Sequence, residues 1–570
     1  MVTKIGIDVG GTFTDAVFIK NQEVVKHSKT PTRKQDLLNT VLKALDLLQV
    51  PPTEAIDNLN VSTTLVTNAI VQKRLPEVKL ILFPGSGLKL PTFTWPIPYK
   101  VLCGELDFRG RLVKPASESE WSQLVQELKK EIRAQKTTQK TLVVISGKFS
   151  HRNNVLEREL ASYLQKEIPE LEIALGSEWG QANFYRRSLT TYLNLACKDL
   201  FQDFTRNLLH GVSARGYNVP VRVLKADGGV LPFDKIRPVD SIHSGSAAGV
   251  LGALAQSAPE QSYIVVDIGG TTTDLGLVLT GNPLLSSHGA RIGSILTNVH
   301  SLAVQSIPVG GDSALLLEQG DIKLAGYRLG PAYCLGGEHP TPTDAMRYLG
   351  LIDYGSLERA KEGLLGLVRK INPHQTDEEE NPLRELAQSI LNKMADQIAT
   401  AIEEMLIEWR NEPAYKIWQV LHPDKDYQFE ICLSGGAGAG IVSILEKRTK
   451  MSTSLTPYSS ISNAIGAALA KPTFSWTLNL DTNRKYYNIV ETGEQGKWQG
   501  SKRPYKEVEA FLTDLARKQA PALGIERETL KTGTFDYFPL VEGYFTTGQI
   551  VRGSVYAPPG VTPLLVKKEN

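Results

Sequence analysis

One octapeptide pattern occurs twice in this sequence: Asp8-Val9-Gly10-Gly11-Thr12-Phe13-Thr14-Asp15 recurs as Asp267-Ile268-Gly269-Gly270-Thr271-Thr272-Thr273-Asp274. Paired glycines let a backbone approach an anion closely and turn its N–H groups into one concavity. The hydroxyls of Thr12, Thr14, Thr271 and Thr273 add donors at the same place. A carboxylate at the end of the preceding strand, Asp8 or Asp267, suits a hydrated Mg²⁺ held against a phosphate. Asp15 or Asp274 could orient metal-bound water, and Asp15, Asp267 and Asp274 are the candidates for a general base. A third glycine cluster, Gly435-Gly436-Ala437-Gly438-Ala439-Gly440, follows the apolar run Phe429 to Leu433 and precedes Ile441 to Leu445. Its small residues leave room for a flat ring such as adenosine, although close strand–helix packing would select the same composition.

The elements that must position these residues can be read around them. Each octapeptide follows a β-rich apolar run (Ile5 to Ile7; Tyr263 to Val266) and precedes another (Ala16 to Ile19; Leu275 to Leu279). Strand, Gly-Gly turn, strand is a hairpin pattern. A Rossmann turn or a P-loop would need a helix at this point. Between the copies, 141–146 is predicted to be a buried strand and 154–168 an amphipathic helix, with another helix over 188–208 and an irregular Pro-rich loop over 90–98. A long helix is predicted over about 382–410, its stripe being Leu383, Leu386, Ile390, Met394, Ile398, Ile402 and Leu406. The acidic run 377–380 would cap it as a solvated first turn. The stripe of small residues over 463–470 would let helices cross closely. Residues from about 475 onward carry no readable motif and form a C-terminal α+β extension.

Composition bounds the function. At 570 residues, 62.6 kDa and 41% hydrophobic, the chain can bury more than one core. The division expected is 1–180, 181–475 and 476–570. Lys and Arg total 63 against 61 Asp and Glu, a net +2, which gives no global reason to expect nucleic acid or an anionic membrane as partner. Four dispersed cysteines without a C-x-x-C pair argue against a disulfide scaffold or a thiolate zinc site. The N-terminus runs directly into a strand pattern, and no apolar run reaches the ~18 residues of a membrane span. These bounds describe a soluble, cytoplasmic, multidomain enzyme. His151, His243 and His300 lack a metal-ligand spacing and read as packed or solvated imidazoles, and Trp95, Trp121, Trp179 and Trp409 read as packing residues. Arg186 and Arg187 stand open between an anion clamp and surface ion pairing.

Two phosphate hairpins followed by an adenosine turn is an order that resembles the actin-like ATPase superfamily, which includes sugar kinases, heat-shock chaperone ATPases and actin. The resemblance implies an α/β chain of duplicated ribonuclease-H-like domains, with inserted α+β segments, closing on Mg-ATP. It also implies that the loop Val309-Gly310-Gly311-Asp312-Ser313 is a further nucleotide-contacting turn. A narrower resemblance covers most of 1–345 and 430–472: the sequence is similar to the hydantoinase/oxoprolinase family, which comprises A-type hydantoinase subunits, 5-oxoprolinase and an acetone-carboxylase subunit. It is carried by Ile7 to Asp15, Thr63 to Ala69, Leu106 to Arg111, Tyr185 to Asn194, Asp227 to Gly229, Arg237 to Val239, Ser244 to Val250, Asp267 to Asp274 and Thr341 to Ala345.

That resemblance implies an ATP-dependent hydrolase that activates the carbonyl of a cyclic amide or related small molecule by phosphoryl transfer, with a B-type partner subunit and an oligomeric assembly. Two departures stand out. The family's Asp-x-His-Thr segment corresponds here to Ala303 to Ser313, which lacks both the acid and the histidine before Asp312, with His300 upstream. The family's His-Gly before Thr63 is Val61-Ser62. ATP binding is therefore better supported than the family's substrate chemistry. An actin-like nucleotide switch without carbonyl chemistry, an acetone-carboxylase-type carbonyl-phosphorylating subunit, and a sugar or acyl kinase are the alternatives.

Overall fold

The structure is a computed structural model that describes residues 2–33, 35–134, 140–258, 260–318, 320–371, 380–413, 415–416 and 427–565. Both octapeptides form hairpins. Thr3–Val9 pairs antiparallel with Phe13–Lys20, and Tyr263–Ile268 pairs antiparallel with Thr273–Leu279. Their registers match: Asp8 lies opposite Asp15, and Asp267 opposite Asp274.

Each hairpin starts a mixed sheet of the same plan. The first has the strand order Val230–Pro232, Val221–Leu224, Asn58–Thr63, Thr3–Val9, Phe13–Lys20, Glu23–Pro31. The second runs Asn282–Pro283, Thr273–Leu279, Tyr263–Ile268, Glu430–Ser434, Thr453–Leu455, with Val304–Ile307 also paired to Thr273–Leu279. In both, the hairpin's first strand pairs in parallel with the strand on its other side. The first sheet thus draws strands from both sides of residue 180. Thr3–Val9 and Asn58–Thr63 are buried at nearly every position, so both faces of these strands are covered.

Two helices join the halves. Ser244–Gln256 and Ser462–Leu469 cross at small residues. A Cβ on Gly252 would sit 2.0 Å from the Ser462 carbonyl oxygen, and one on Gly466 would sit 2.0 Å from that of Ala248. The second helix presses on the first sheet, since a Cβ on Gly6 would lie 2.2 Å from the Ala464 carbonyl oxygen. The first presses on the second sheet, through Gly249 beside Asp267 and Val250 beside Gly276. Glycine here supplies closeness of approach, and that closeness holds the two sheets near each other.

The remaining elements bear on the site less directly. A parallel sheet of Glu172–Leu175, Leu142–Gly147, Val78–Phe83 and Tyr99–Val101 contains the strand predicted at 141–146. The helix predicted at 154–168 is Val155–Glu167. The single helix expected over 188–208 is instead two, Phe184–Ala196 and Lys198–Ala214, broken at Cys197; apolar periodicity continues across the break and so does not register it. The long helix is Glu380–Asn411, and its predicted stripe is buried except for half-buried Leu386. The acidic run before it lies outside the described residues apart from the backbone of Glu380. The C-terminal segment forms a five-stranded antiparallel sheet with helix Tyr505–Gln519, and Trp476 roots it in the core shared with the parallel sheet.

Candidate functional site

The two glycine elbows meet. A Cβ on Gly270 would lie 2.9 Å from Thr12 Oγ1 and 2.7 Å from Asp312 Oδ2, so the first elbow, the second elbow and the 309–313 loop converge on one place. None of Gly10, Gly11, Gly269 or Gly270 has a left-handed φ. What these positions require is space: a Cβ on Gly10 would meet the Phe13 carbonyl oxygen at 2.8 Å, whereas Gly11 faces nothing within 4 Å. Each turn is closed by its own backbone, Gly10 N–H to Phe13 O at 3.0 Å and Gly269 N–H to Thr272 O at 3.0 Å.

The carboxylates gather behind the elbows. Burial pushes Asp8 up to about 7, opposed by the Ser62 hydroxyl beside it and reinforced by the charges of Asp15 and Asp267. Neither Asp8 Oδ1 nor the Ser62 hydroxyl closes a hydrogen bond among the described residues. Burial pushes Asp267 up to about 6, and Asp274 adds to this. Both Asp267 oxygens are engaged, Oδ1 by the Ser434 hydroxyl at 3.2 Å and Oδ2 by Asn463 Nδ2 at 2.9 Å. Asp15 is raised by burial but accepts from Lys29 Nζ at 2.7 Å. Asp274 keeps one buried oxygen without a partner.

This arrangement suits Mg²⁺. Among the described residues no group of three or more His, Cys, Asp or Glu side chains forms a ready-made cation site. Mg²⁺ asks for less: one or two carboxylates, with water and phosphate completing the octahedron. The buried oxygens that lack partners belong to Asp8 and Asp274, whereas Asp267 is already satisfied by its neighbours.

Several of the other residues singled out in the sequence act as supports. Thr14 is buried with its hydroxyl 2.9 Å from that of Thr32, and Thr273 donates to the Val309 carbonyl at 2.7 Å. Thr12 and Thr271 remain half-buried at the elbows. In the 309–313 loop, Gly311 N–H goes to Gly269 O at 2.9 Å and Asp312 N–H to Gly270 O at 2.7 Å. These N–H groups buttress the second elbow. Gly310 must be glycine, because its Cβ would meet the carbonyl oxygens of Gly269 and Gly270 at 2.7 and 2.6 Å.

In the third cluster, Gly435 has φ +86° and abuts the Ile268 carbonyl, while Gly436 opens onto free space. Ala437 and Gly438 are buried, the latter against Leu433 and Leu455. The Tyr354 hydroxyl caps Gly436 O at 2.8 Å.

Three further readings resolve at this level. Arg187 is fully buried and its guanidinium donates to the carbonyls of Gly147, Lys148 and Gln181 and to the Ser150 hydroxyl, so it is a structural rivet and neither an anion clamp nor a surface ion pair. Arg186 donates to His288 O at 2.8 Å. His151 is buried, and burial with Arg187, Arg152 and Arg552 nearby pushes it down to about 2, as a packed neutral imidazole requires. His300 lines a separate cavity of about 290 Å³ with Lys225, Asp227 and Arg237. Opposite Asp274, where the departure from the family pattern falls, stands Ser306, with Gln305 opposite Leu275.

Sequence reasoning missed Arg328. Its Nη1 donates to Thr12 Oγ1 at 2.6 Å, its Nε to Gly330 O at 3.0 Å, and its Nη2 lies 3.5 Å from Asp312 Oδ2. A lone arginine between Gly326-Tyr327 and Leu329-Gly330 carries no spacing signal.

Comparison with known proteins fits this geometry. The family model described as Hydantoinase/oxoprolinase matches residues 187–475, and that of the Hydantoinase/oxoprolinase N-terminal region matches 4–168. An uncharacterised protein of Methanocaldococcus jannaschii is 24% identical over 82% of this chain and 72% of its own length. The caprolactamase α subunit of Pseudomonas jessenii is 27% identical over 62% of this chain and 55% of its own, and the acetophenone carboxylase γ subunit of Aromatoleum aromaticum 25% over 62% and 54%. The chain thus spans about half the length of these two subunits.

Among solved structures, nucleotide-free acetone carboxylase superposes with a TM-score of 0.71 at 16% identity, covering 100% of this chain and 90% of that one. The ATP-dependent caprolactamase of Pseudomonas jessenii gives 0.66 at 19%, covering 98% and 88%. The fold is that of these two structures, with two sheets of one plan each begun by a glycine hairpin. Among the described residues no helix is long and apolar enough to cross a membrane. With paired elbows, matching sheets and both family models in register along it, the chain belongs to the hydantoinase/oxoprolinase family.

Proposed function

We propose that the chain is an ATP-dependent enzyme that activates the carbonyl oxygen of a cyclic amide or related small carbonyl compound. The observation that carries this reading is the meeting of the two elbows, with Gly270 within a Cβ's reach of Thr12. A Mg²⁺-bound triphosphate would supply an electrophilic phosphoryl group, and its transfer to the carbonyl oxygen would remove the nitrogen donation that makes an amide inert. The chain's part is electrostatic and positional. Gly11, open to solvent and unobstructed, offers its backbone to the phosphates, and Gly436 offers open backbone for the adenosine. Asp8 and Asp274 have oxygens free to hold the cation or its waters. Asp267 is held fixed by Ser434 and Asn463. Asp15 and Asp274, facing the first carboxylate of each hairpin, are the groups placed to accept a proton.

Relatives named as α, β and γ subunits support a B-type or similar partner. Release of phosphate from ATP by the chain, alone and with any copurifying subunit, in the presence of hydantoin, 5-oxoproline or caprolactam, tests the reading. Mg²⁺-dependent turnover stimulated by one of these is expected.

A second reading, a nucleotide switch without carbonyl chemistry, is favoured by Ala303 and Gln305, next to and on the strand paired with Thr273–Leu279, which replace the acid and the histidine that the family resemblance implies. ATP turnover indifferent to every cyclic amide, with the partner present, selects it. Failure to bind nucleotide at all would remove both.

A further inference from the structure

Arg328 stands where the two elbows meet, and the family resemblance gave no reason to look there. It follows the short strand Asp321–Leu324, in a segment tied back by Ala314 N–H to Tyr327 O at 2.9 Å. Its side chain is 20% exposed, buried enough to strengthen its interactions and open enough to meet a ligand. One guanidinium reaches both halves of the molecule: Thr12 on the first elbow and, through Asp312, the second elbow, whose Gly270 carbonyl holds the Asp312 N–H at 2.7 Å. The carboxylate its guanidinium faces is that of Asp312. Lys29 is bound to Asp15, whereas Arg328 reaches the junction itself. A planar fork with several N–H donors suits phosphoryl oxygens.

We propose that Arg328 is a catalytic residue, the chain's own cation for the phosphoryl group in transfer, and that its guanidinium exchanges Thr12 Oγ1 for phosphoryl oxygens while Asp312 keeps it aimed. This rests on the reading of the elbows as the nucleotide site. As the carbonyl oxygen bonds to phosphorus, the bond to the bridging oxygen of the leaving diphosphate breaks and that oxygen takes the electron pair; the ring N–H proton passes to Asp15 or Asp274, directly or through water. Charge grows on the equatorial and bridging oxygens, and a guanidinium beside them stabilises that state more than the bound nucleotide. A purely structural staple between Thr12 and Asp312 would show no such preference.

The test compares two ligands on one protein. Affinities for Mg-ADP and for Mg-ADP with aluminium fluoride, a mimic of the transferring phosphoryl group, are measured by fluorescent-nucleotide displacement for the wild type, Arg328→Ala and Arg328→Lys. Mg-ADP affinity is expected to change less than about fivefold. The fluoride complex should weaken by ~10³-fold in Arg328→Ala, with a parallel fall in kcat. Guanidinium ion added to Arg328→Ala should restore part of both. Equal weakening of both ligands, or none, overturns the proposal in favour of the staple. Should Arg328→Ala fold poorly, Arg328→Lys decides by the same ratio. A wild type that binds neither ligand refutes the nucleotide site itself, a result distinct from loss of the ratio alone.

Discussion

The two elbows share a sequence pattern and a register but not an environment. The second is walled in. The 309–313 loop is bonded to both of its glycine carbonyls, Asp267 is held by Ser434 and Asn463, Gly435 presses on Ile268, and a Cβ on Gly270 would strike Asp312 and Thr12. The first elbow is open: Gly11 meets nothing within 4 Å, and Asp8 keeps a buried oxygen without a partner. Beyond the hairpins, the first sheet continues into the long strand Glu23–Pro31, while the second continues into the two short pieces Asn282–Pro283 and Val304–Ile307, the latter feeding the buttressing loop. Duplication thus supplied one turn twice, and the surroundings made one copy a fixed wall and the other a receiving face.

The largest expected effect tests that asymmetry directly. Gly270→Ala puts a methyl group 2.7 Å from Asp312 Oδ2 and 2.9 Å from Thr12 Oγ1. Something must move by several tenths of an ångström where both elbows and Arg328 meet, and displacements approaching 1 Å in a catalytic geometry cost on the order of 10² in rate. Gly11→Ala adds a methyl that meets nothing in the protein but stands on the face offered to the phosphates, so its effect should appear as a raised KM for ATP, with kcat lowered less than in Gly270→Ala. Steady-state kinetics of the two variants side by side read the comparison, and equal losses would break it.

The two hairpins were legible in the sequence; the contrast between them was not, and that has a physical cause. The octapeptides are local: strand, turn and strand lie within one stretch, so their hairpins and the apposition of Asp8 with Asp15 follow from the pattern. The helix crossing at Gly252 and Gly466 was readable from the small residues over 463–470. The functions of the 309–313 loop, Thr14 and Thr273 were not, because each hydroxyl or N–H is taken by a partner that only tertiary structure brings near. Arg328 is the extreme case, since its contact with Thr12 bridges 316 positions of chain. Arg187 resembled a ligand clamp in sequence for a similar reason: nothing local reveals that its fork is filled by backbone carbonyls.

A smaller effect separates the carboxylates by pH. The folded-state pKa of Asp8 is raised from 3.8 to about 7 and that of Asp267 to about 6. A raised carboxylate contributes stability that is fully present below the unfolded value and is lost as pH rises through the folded one. The cation-free protein should therefore lose stability between about pH 4 and pH 7. Asp8→Asn, which cannot ionise, should lose less across that window and be the more stable form at pH 8, by up to roughly 4 kcal/mol as an upper bound. Below pH 4 the two should converge. On the proposed reading Mg²⁺ should reverse the order, because it would compete with the proton for the Asp8 oxygen, and the wild type alone should gain stability from Mg²⁺ as pH rises. Thermal unfolding at several pH values, with and without Mg²⁺, measures both. If Asp8→Asn tracked the wild type throughout, the open oxygen of the first elbow would have no electrostatic consequence.

The smallest effect concerns a lysine that pairs with the first hairpin's second aspartate and has no counterpart on the second hairpin among the described residues. Lys29 Nζ lies 2.7 Å from Asp15 Oδ1 and also donates to the Ser460 carbonyl at 2.9 Å. The lysine side chain is 36% exposed and the aspartate 12%, so solvent screens one end of the pair, and a coupling of about 0.5 kcal/mol is the appropriate scale. Asp274, at the equivalent place, has the Ser306 backbone opposite it and no lysine among its described partners. A double-mutant cycle of Lys29→Met and Asp15→Asn isolates the pair from the packing each substitution disturbs. Unfolding free energies should show a coupling near this value that shrinks in 1 M salt, and Lys29→Met should slow ATP turnover by no more than about threefold, since the lysine acts on the elbow through Asp15 alone. A larger kinetic loss would mean that the ammonium leaves Asp15 to meet the phosphates, and the first elbow would then carry a mobile cation of its own, erasing the difference in charge between the two faces of the cleft.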